Sequence, residues 1–358
     1  MYKVLVCFFV AFLVACASND AKLQTSENTV SLSQGGSTNP IDSAKDAIEH
    51  NQFDVAKTIL QSAAEQGDVE SFALLGWMYF YKIEEPEHVK QAIEWLEKAA
   101  DRDHINAQVL LSQIYYTGDG VKKNLVRAAF WAERAAELGE PDSQYNIGFM
   151  YKNGQGVPVN YEKAAYWFAT AGKNGQISGV VDYALMLVKG MGVAKNPSEA
   201  KRLLLSVAEG GDSWAQYNLG LAYDRGDLGV VDKQEAIKWY EKSAEQGNAS
   251  AQVNLGGLYA SGDGVEPNLD KAIALYKKSA EQGNVSAISN LGVLHLSGSG
   301  VKQDYDMAFK LLSYAAERGN QAALYYLATM YDEGKGVPIN KSLANKLFDL
   351  SGLDKLAK

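Results

Sequence analysis

One column of alanines constrains this chain more than any other feature. Ala56, Ala92, Ala128, Ala164, Ala200, Ala236, Ala272, Ala308 and Ala344 recur every 36 residues, with no residue inserted or lost between them. A glycine column keeps the same period at Gly67, Gly139, Gly175, Gly211, Gly247, Gly283 and Gly319, and is broken only where Asp103 takes its turn. A fixed period of this length marks one supersecondary unit that cannot cover its own apolar face and stacks on its neighbours to do so. A length of 358 residues would otherwise suggest two or three globular domains, and the repeat overrides that rule.

Within one period, Asn248 to Ser261 places Ala251, Leu255, Leu258 and Tyr259 on one face at helical spacing, which predicts a first helix, A. It stops at Gly262-Asp263-Gly264-Val265, a pattern that returns at Gly118 to Val121, Gly154 to Val157, Gly190 to Val193, Gly298 to Val301 and Gly334 to Val337. Glycine there reaches the left-handed conformation that ends a helix. A second stretch, Leu269 to Gln282, puts Ala272, Leu275, Tyr276, Ser279 and Ala280 on one face and ends at Gly283, giving helix B. The short connections force the pair antiparallel.

These residues resemble the Sel-one-like repeats, relatives of the tetratricopeptide repeats with a longer loop between the helices. The hallmark run reads Ala215-Gln216-Tyr217-Asn218-Leu219-Gly220 through Tyr223, then the glycine loop, Ala236, Trp239-Tyr240, Ala244 and Gly247. The resemblance covers eight units, 68–103, 104–139, 140–175, 176–211, 212–247, 248–283, 284–319 and 320–355. It implies an all-α fold, a right-handed α/α superhelical solenoid of antiparallel helix pairs, whose work is binding and not catalysis. Residues 40–67 read as a helical hairpin capping the N-terminal end, and Ser351 to Lys358 as the opposite cap. Departures are confined to the Lys82 to Val89 loop, to Ala184 and Leu187 in the fourth unit, and to Gly226-Asp227-Leu228-Gly229 in the fifth.

Residues 1–15 carry one cation, Lys3, and an apolar run from Val4 to Val14 too short to span a bilayer comfortably, so they read as a signal peptide. The run ends Leu13-Val14-Ala15-Cys16, which resembles the lipobox of bacterial lipoproteins and implies lipidation of Cys16. Ala17 and Ser18 after that cysteine favour the outer membrane, by analogy with lipoprotein sorting in Gram-negative bacteria, on its periplasmic side. Residues 16–39 are rich in Ser, Thr, Asn and Gly and read as a flexible tether.

Composition excludes several functions. With 43 acids against 34 bases and no clustered Lys or Arg, the chain is a poor partner for nucleic acid. Cys7 and Cys16 are the only cysteines, so the folded body has no disulfide or thiolate metal site. His50, His88, His104 and His295 are scattered without zinc spacing, and the Gly-Asp-Gly loops lack the alternating acids of a calcium site. No metal and no cofactor are expected. The resemblance leaves two other functions to weigh, a β-lactam-binding or cell-wall-modifying enzyme and a surface-exposed host-interaction factor. For the first, only Ser198-Glu199-Ala200-Lys201 matches Ser-x-x-Lys, at the start of a helix B and with no Lys-Thr-Gly or Ser-Asp-Asn partner.

Trp95, Trp131, Trp167 and Trp239 share a helix-B column that packing assigns to the core. The groove positions implied by the resemblance fall on helix A and select Trp77, Phe80, Tyr116, Tyr145, Phe149, Trp214, Tyr217 and Tyr325. An amide column, Asn146, Asn218, Asn254 and Asn290, runs between them, with Asp182 in the fourth unit. Such a lining suits a protein or peptide ligand, although for the asparagines bonding within the array is the favoured use.

Overall fold

The computed structural model describes residues 39–83 and 87–353. The signal peptide, Cys16 and most of its tether, and the last five residues lie outside the described residues. The chain is all-α, an array of antiparallel helix pairs of the α/α solenoid class, and it divides after Gln176 into two compact units.

In the first unit, α1 (Pro40–Glu49) and α2 (Phe53–Glu65) form a hairpin ahead of three pairs. These are α3 (Val69–Tyr81) with α4 (His88–Ala100), α5 (Ile105–Thr117) with α6 (Leu125–Glu137), and α7 (Pro141–Asn153) with α8 (Tyr161–Lys173). The second unit holds five pairs: α9 (Ile177–Lys189) with α10 (Pro197–Glu209), α11 (Ser213–Arg225) with α12 (Lys233–Glu245), and α13 (Ala249–Ser261) with α14 (Leu269–Glu281). It ends with α15 (Val285–Ser297) and α16 (Tyr305–Glu317), then α17 (Gln321–Glu333) and α18 (Lys341–Ser351).

Local chemistry explains where most of the helices start and stop. Each helix B from α6 onward is capped by Asn or Asp at the same place in the period: Asn124, Asn160, Asn196, Asp232, Asn268, Asp304 and Asn340 each accept a first-turn backbone N–H. Each cap contributes about 0.5–2 kcal/mol. Helix A stops at a left-handed glycine, as at Gly118, Gly154 and Gly262. Where the glycine column fails, Asp103 still adopts the left-handed conformation (φ 61°), and Arg134 donates to its carboxylate at 2.7 Å.

Small residues set the spacing. All nine column alanines are fully buried, and where helix A crosses them it carries a small residue, glycine at Gly76, Gly148, Gly220, Gly256 and Gly292 and otherwise Ser112, Ala184 or Ala328. A Cβ on Gly220 would lie 2.8 Å from the Tyr240 ring, so the two helices approach too closely for any other residue. In the loops, a Cβ on Gly156 (φ +76°) would strike the Leu125 carbonyl oxygen of the preceding pair at 1.9 Å. The glycine loop therefore both ends a helix and seats one hairpin on the next.

Polar bridges close the joints between hairpins. The buried amides of Gln108, Gln144, Gln216 and Gln252 donate to the Ala100, Ala136, Ala208 and Ala244 carbonyls at 2.9–3.2 Å, satisfying the open C-terminal end of the preceding helix B. Three of those amide oxygens accept in turn from the next helix B, from Asn174 at 2.9 Å, Gln246 at 2.8 Å and Gln282 at 3.0 Å. Tyrosines staple the same joints: Tyr151 donates to Glu133 and accepts from Lys163, both at 2.7 Å, and Tyr115 stands likewise between Glu97 and Arg127.

One of these four amides is satisfied on its donor side only. Leu138 occupies the place of Gln246 and Gln282, and the buried Gln108 Oε1 beneath it has no hydrogen-bond partner. Since Leu138 is 41% exposed, little packing is lost on replacing it. Leu138→Gln supplies the missing donor and is expected to stabilise the protein by about 0.5–1.5 kcal/mol, read from the urea midpoint. An unchanged or lower midpoint would contradict the bridge.

Candidate partner-binding site

The side chains picked out on helix A divide between surface and core. In the first unit, Tyr116 and Phe149 are the most open; the Tyr116 hydroxyl donates to Gln155 at 3.1 Å, and Lys123 Nζ lies 5.1 Å from its ring centre. Tyr145 is half-buried with its ring 5.5 Å from Phe168, and Asn146 beside it is exposed. Phe80 is half-buried against Tyr81 at 4.6 Å. Trp77 corrects the expectation, because it is only 4% exposed and lines no surface. The cause is α3 itself, whose residues 71–79 are all buried between the N-terminal hairpin and the next pair. A helix apolar all round has no face to spare.

In the second unit, Trp214 is 47% exposed, the one tryptophan presented to solvent to this degree among the described residues. Its ring lies tilted by 30° against half-buried Tyr217 at 5.4 Å, and Tyr217 lies 6.1 Å from the buried ring of Tyr240. The Tyr240 hydroxyl donates to Asp224 Oδ2 at 3.3 Å and accepts from Asn254 Nδ2 at 3.1 Å. Lys233 Nζ bridges Asp224 at 2.6 Å and Asp263 at 2.8 Å. Burial, with Asp224 and Tyr217 adding to it, pushes the Tyr240 phenol well above its usual range, so it stays a neutral donor. Its hydrogen bonds to Asp224 and then Asp263 raise the Lys233 ammonium. An exposed aromatic step thus adjoins a charged, ordered network.

The amide column is used mostly inside the array. Asn218 is buried and donates to the Trp214 carbonyl at 2.8 Å; Asn254 serves Tyr240, and Asn290 bonds the equivalent Tyr276. Asp182 is half-buried on α9. Tyr325 packs edge-on against Phe348 at 5.2 Å near the last pair. Of the helix-B tryptophans, Trp131, Trp167 and Trp239 are buried as packing required, and half-buried Trp95 stacks on Phe72 at 5.8 Å.

Eight stretches match the Sel1 repeat, at residues 73–104, 105–140, 141–176, 179–212, 215–248, 249–284, 285–320 and 321–352. The chain belongs to the Sel1 repeat family. It is similar to the crystal structure of a protective antigen with an SLR fold from uropathogenic Escherichia coli, at 32% identity and a TM-score of 0.66, over 84% of this chain and 64% of the antigen. The chain therefore spans somewhat less than two thirds of that protein. It is also similar to a Sel1 repeat protein from Oxalobacter formigenes, at 26% identity and a TM-score of 0.66, over 96% of this chain and 95% of the other. No curated protein matches it. Proteins built of Sel1 repeats generally mediate protein–protein interaction, and the solenoid is typically a non-catalytic scaffold.

Set in this Sel1 array, Ser198 is an exposed first-turn residue of α10, and Lys201 Nζ lies 5.2 Å from the Tyr223 ring. No cluster of three or more metal-ligating side chains occurs among the described residues. Sequence reasoning missed two features. Phe130 and Tyr166 are 52% and 61% exposed on helix B, at a column where other Sel1 repeats of this chain carry Arg202, Lys238, Lys310 and Lys346; that contrast was the available signal. The second is the ion-paired cluster around His104, whose partners are far apart in sequence and leave no local motif.

Proposed function

We propose that this protein is a scaffold of the bacterial cell envelope, anchored through a lipid on Cys16, that captures a protein or peptide on the helix-A faces of its repeats. The observation that carries the reading is the Trp214–Tyr217 step beside the Asp224–Lys233–Asn254 network. A large exposed aromatic packed against a second ring, with fixed donors and acceptors alongside, is the composition of a binding hot spot. Helix A carries such residues in some repeats and small ones, Val253 and Gly257, in others. The face therefore varies along the array while the packing columns repeat.

Trp214→Ala is expected to weaken capture of the envelope partner roughly tenfold or more while leaving the helical content and melting temperature near those of the parent, since the indole is half exposed. Undiminished capture by this variant would remove the helix-A face from the account. The anchor stands or falls separately: Cys16→Ser is expected to abolish incorporation of labelled palmitate and release the chain from membranes, whereas unchanged fractionation would refute it.

A further inference from the structure

We propose that the helix-B face of the first unit docks on the lipid surface itself, through Phe130 and Tyr166, so that the anchored chain lies against the bilayer by one chosen side. The inference rests on the lipid anchor at Cys16 and adds a second contact, made by the fold. Phe130 on α6 and Tyr166 on α8 hold the same place in successive repeats and are 52% and 61% exposed. Val126, one turn before Phe130 on the same face, is 66% exposed, and Tyr161 at the start of α8 is open as well. Exposed apolar side chains gathered on one face mark an interaction surface, whereas scattered ones do not.

Folding does not require these side chains. At their column the second unit carries Arg202, Lys238, Lys310 and Lys346, with Ala274 among them, on helices of the same length or nearly so. Where Lys238 stands, its ammonium lies 5.6 Å from the ring centre of buried Trp239. In the first unit a ring takes that place: Phe130 packs edge-on against Trp131 at 4.8 Å and Tyr166 against Trp167 at 5.0 Å. Each ring is steadied by the core on one side and left to solvent on the other.

Where the chain is held, and which charges surround the rings, point to what covers them. Cys16 lies 23 residues before Asn39, at which the described chain begins, and a chain of that length reaches at most roughly 80 Å. It leads into α1, in the same unit as α6 and α8. The anchor therefore holds this unit near the bilayer and leaves the choice of face to the unit's own surface. The charges beside the aromatics are balanced: Arg127 pairs with Glu97, Lys163 with Glu133, and Arg134 with Asp101 and Asp103. Exposed Glu94, Glu137 and Glu162 are interspersed with Lys90 and Lys173. Such a face offers no single sign for an acidic or basic protein to match, and it meets a zwitterionic headgroup layer without repulsion. Amphipathic rings suit that layer, with the apolar part toward the acyl chains and the tyrosine hydroxyl among the headgroups. Two rings and a valine would hold a free protein only weakly, but the anchor makes the contact intramolecular, at an effective concentration on the order of millimolar. Docking in this way uses the helix of each pair that capture on helix A leaves unused.

The test reads contact with lipid in the lipidated full chain, in vesicles of equal parts phosphatidylethanolamine and phosphatidylcholine. The lipidated chain begins at Cys16, whose sulfur carries the lipid, so one thiol introduced as Val126→Cys, Lys238→Cys or Lys310→Cys takes a fluorophore at one place only. Spin-labelled lipid is expected to quench the label at residue 126 about twofold or more and to leave those at 238 and 310 nearly untouched. Adding Phe130→Lys and Tyr166→Lys, which supply what the second unit already folds with, should return residue 126 to the level of the controls. Equal quenching at all three positions, quenching at residue 126 that survives the double substitution, or no quenching in a chain that floats with the vesicles overturns the docking face and leaves the anchor standing. A discrete protein crosslinked from residue 130 or 166 would give the face to a protein and overturn it equally. A chain that incorporates no palmitate and fails to float sinks the anchor, and the docking face with it.

Discussion

The close approach of helix A to helix B is the constraint on which everything else rests. It exists because the crossing points carry only small residues, alanine, glycine and at one of them Ser112, as where Gly220 leaves room for the Tyr240 ring. With that spacing set, the large residues have one place to go, between hairpins, and Leu204, Leu219, Phe168 and Tyr240 disappear from solvent. A larger residue at such a crossing would part the pair and misplace every contact stacked on it.

Close packing leaves the ends of helices buried against their neighbours, which would be costly without partners. The glutamine-to-carbonyl bonds, asparagine caps and tyrosine staples supply them, and they recur because the joint recurs. One consequence is that residues with attractive functional chemistry are already engaged. Asn218 and Asn254 look like a ladder for a ligand in one dimension and bond their own array in three. What remains outward is the less regular content of helix A, with Trp214 its most open aromatic, and exposed aromatics on helix B such as Phe130 and Tyr166.

The helices and their pairing were legible in the sequence, because period, apolar spacing and glycine stops are all local. The candidate face was legible only in part. Register puts Trp77 and Trp214 in comparable lining positions, but Trp77 sits between the N-terminal hairpin and the next pair, and no periodicity reports that. Equally hidden were contacts that join residues 30 or more positions apart, such as Glu70 with His104 and Lys233 with Asp263. Their pairing depends on which turn faces which, a property of the stack and not of the repeat.

The most direct measurement is a photo-crosslinking comparison in cells between the two exposed aromatic faces. A crosslinker at Trp214 or Tyr145 on helix A is predicted to trap a discrete partner, while the same probe at Phe130 or Tyr166 on helix B is not. Trapping from the helix-B positions alone would contradict the account and move the binding surface to the other side of the repeats.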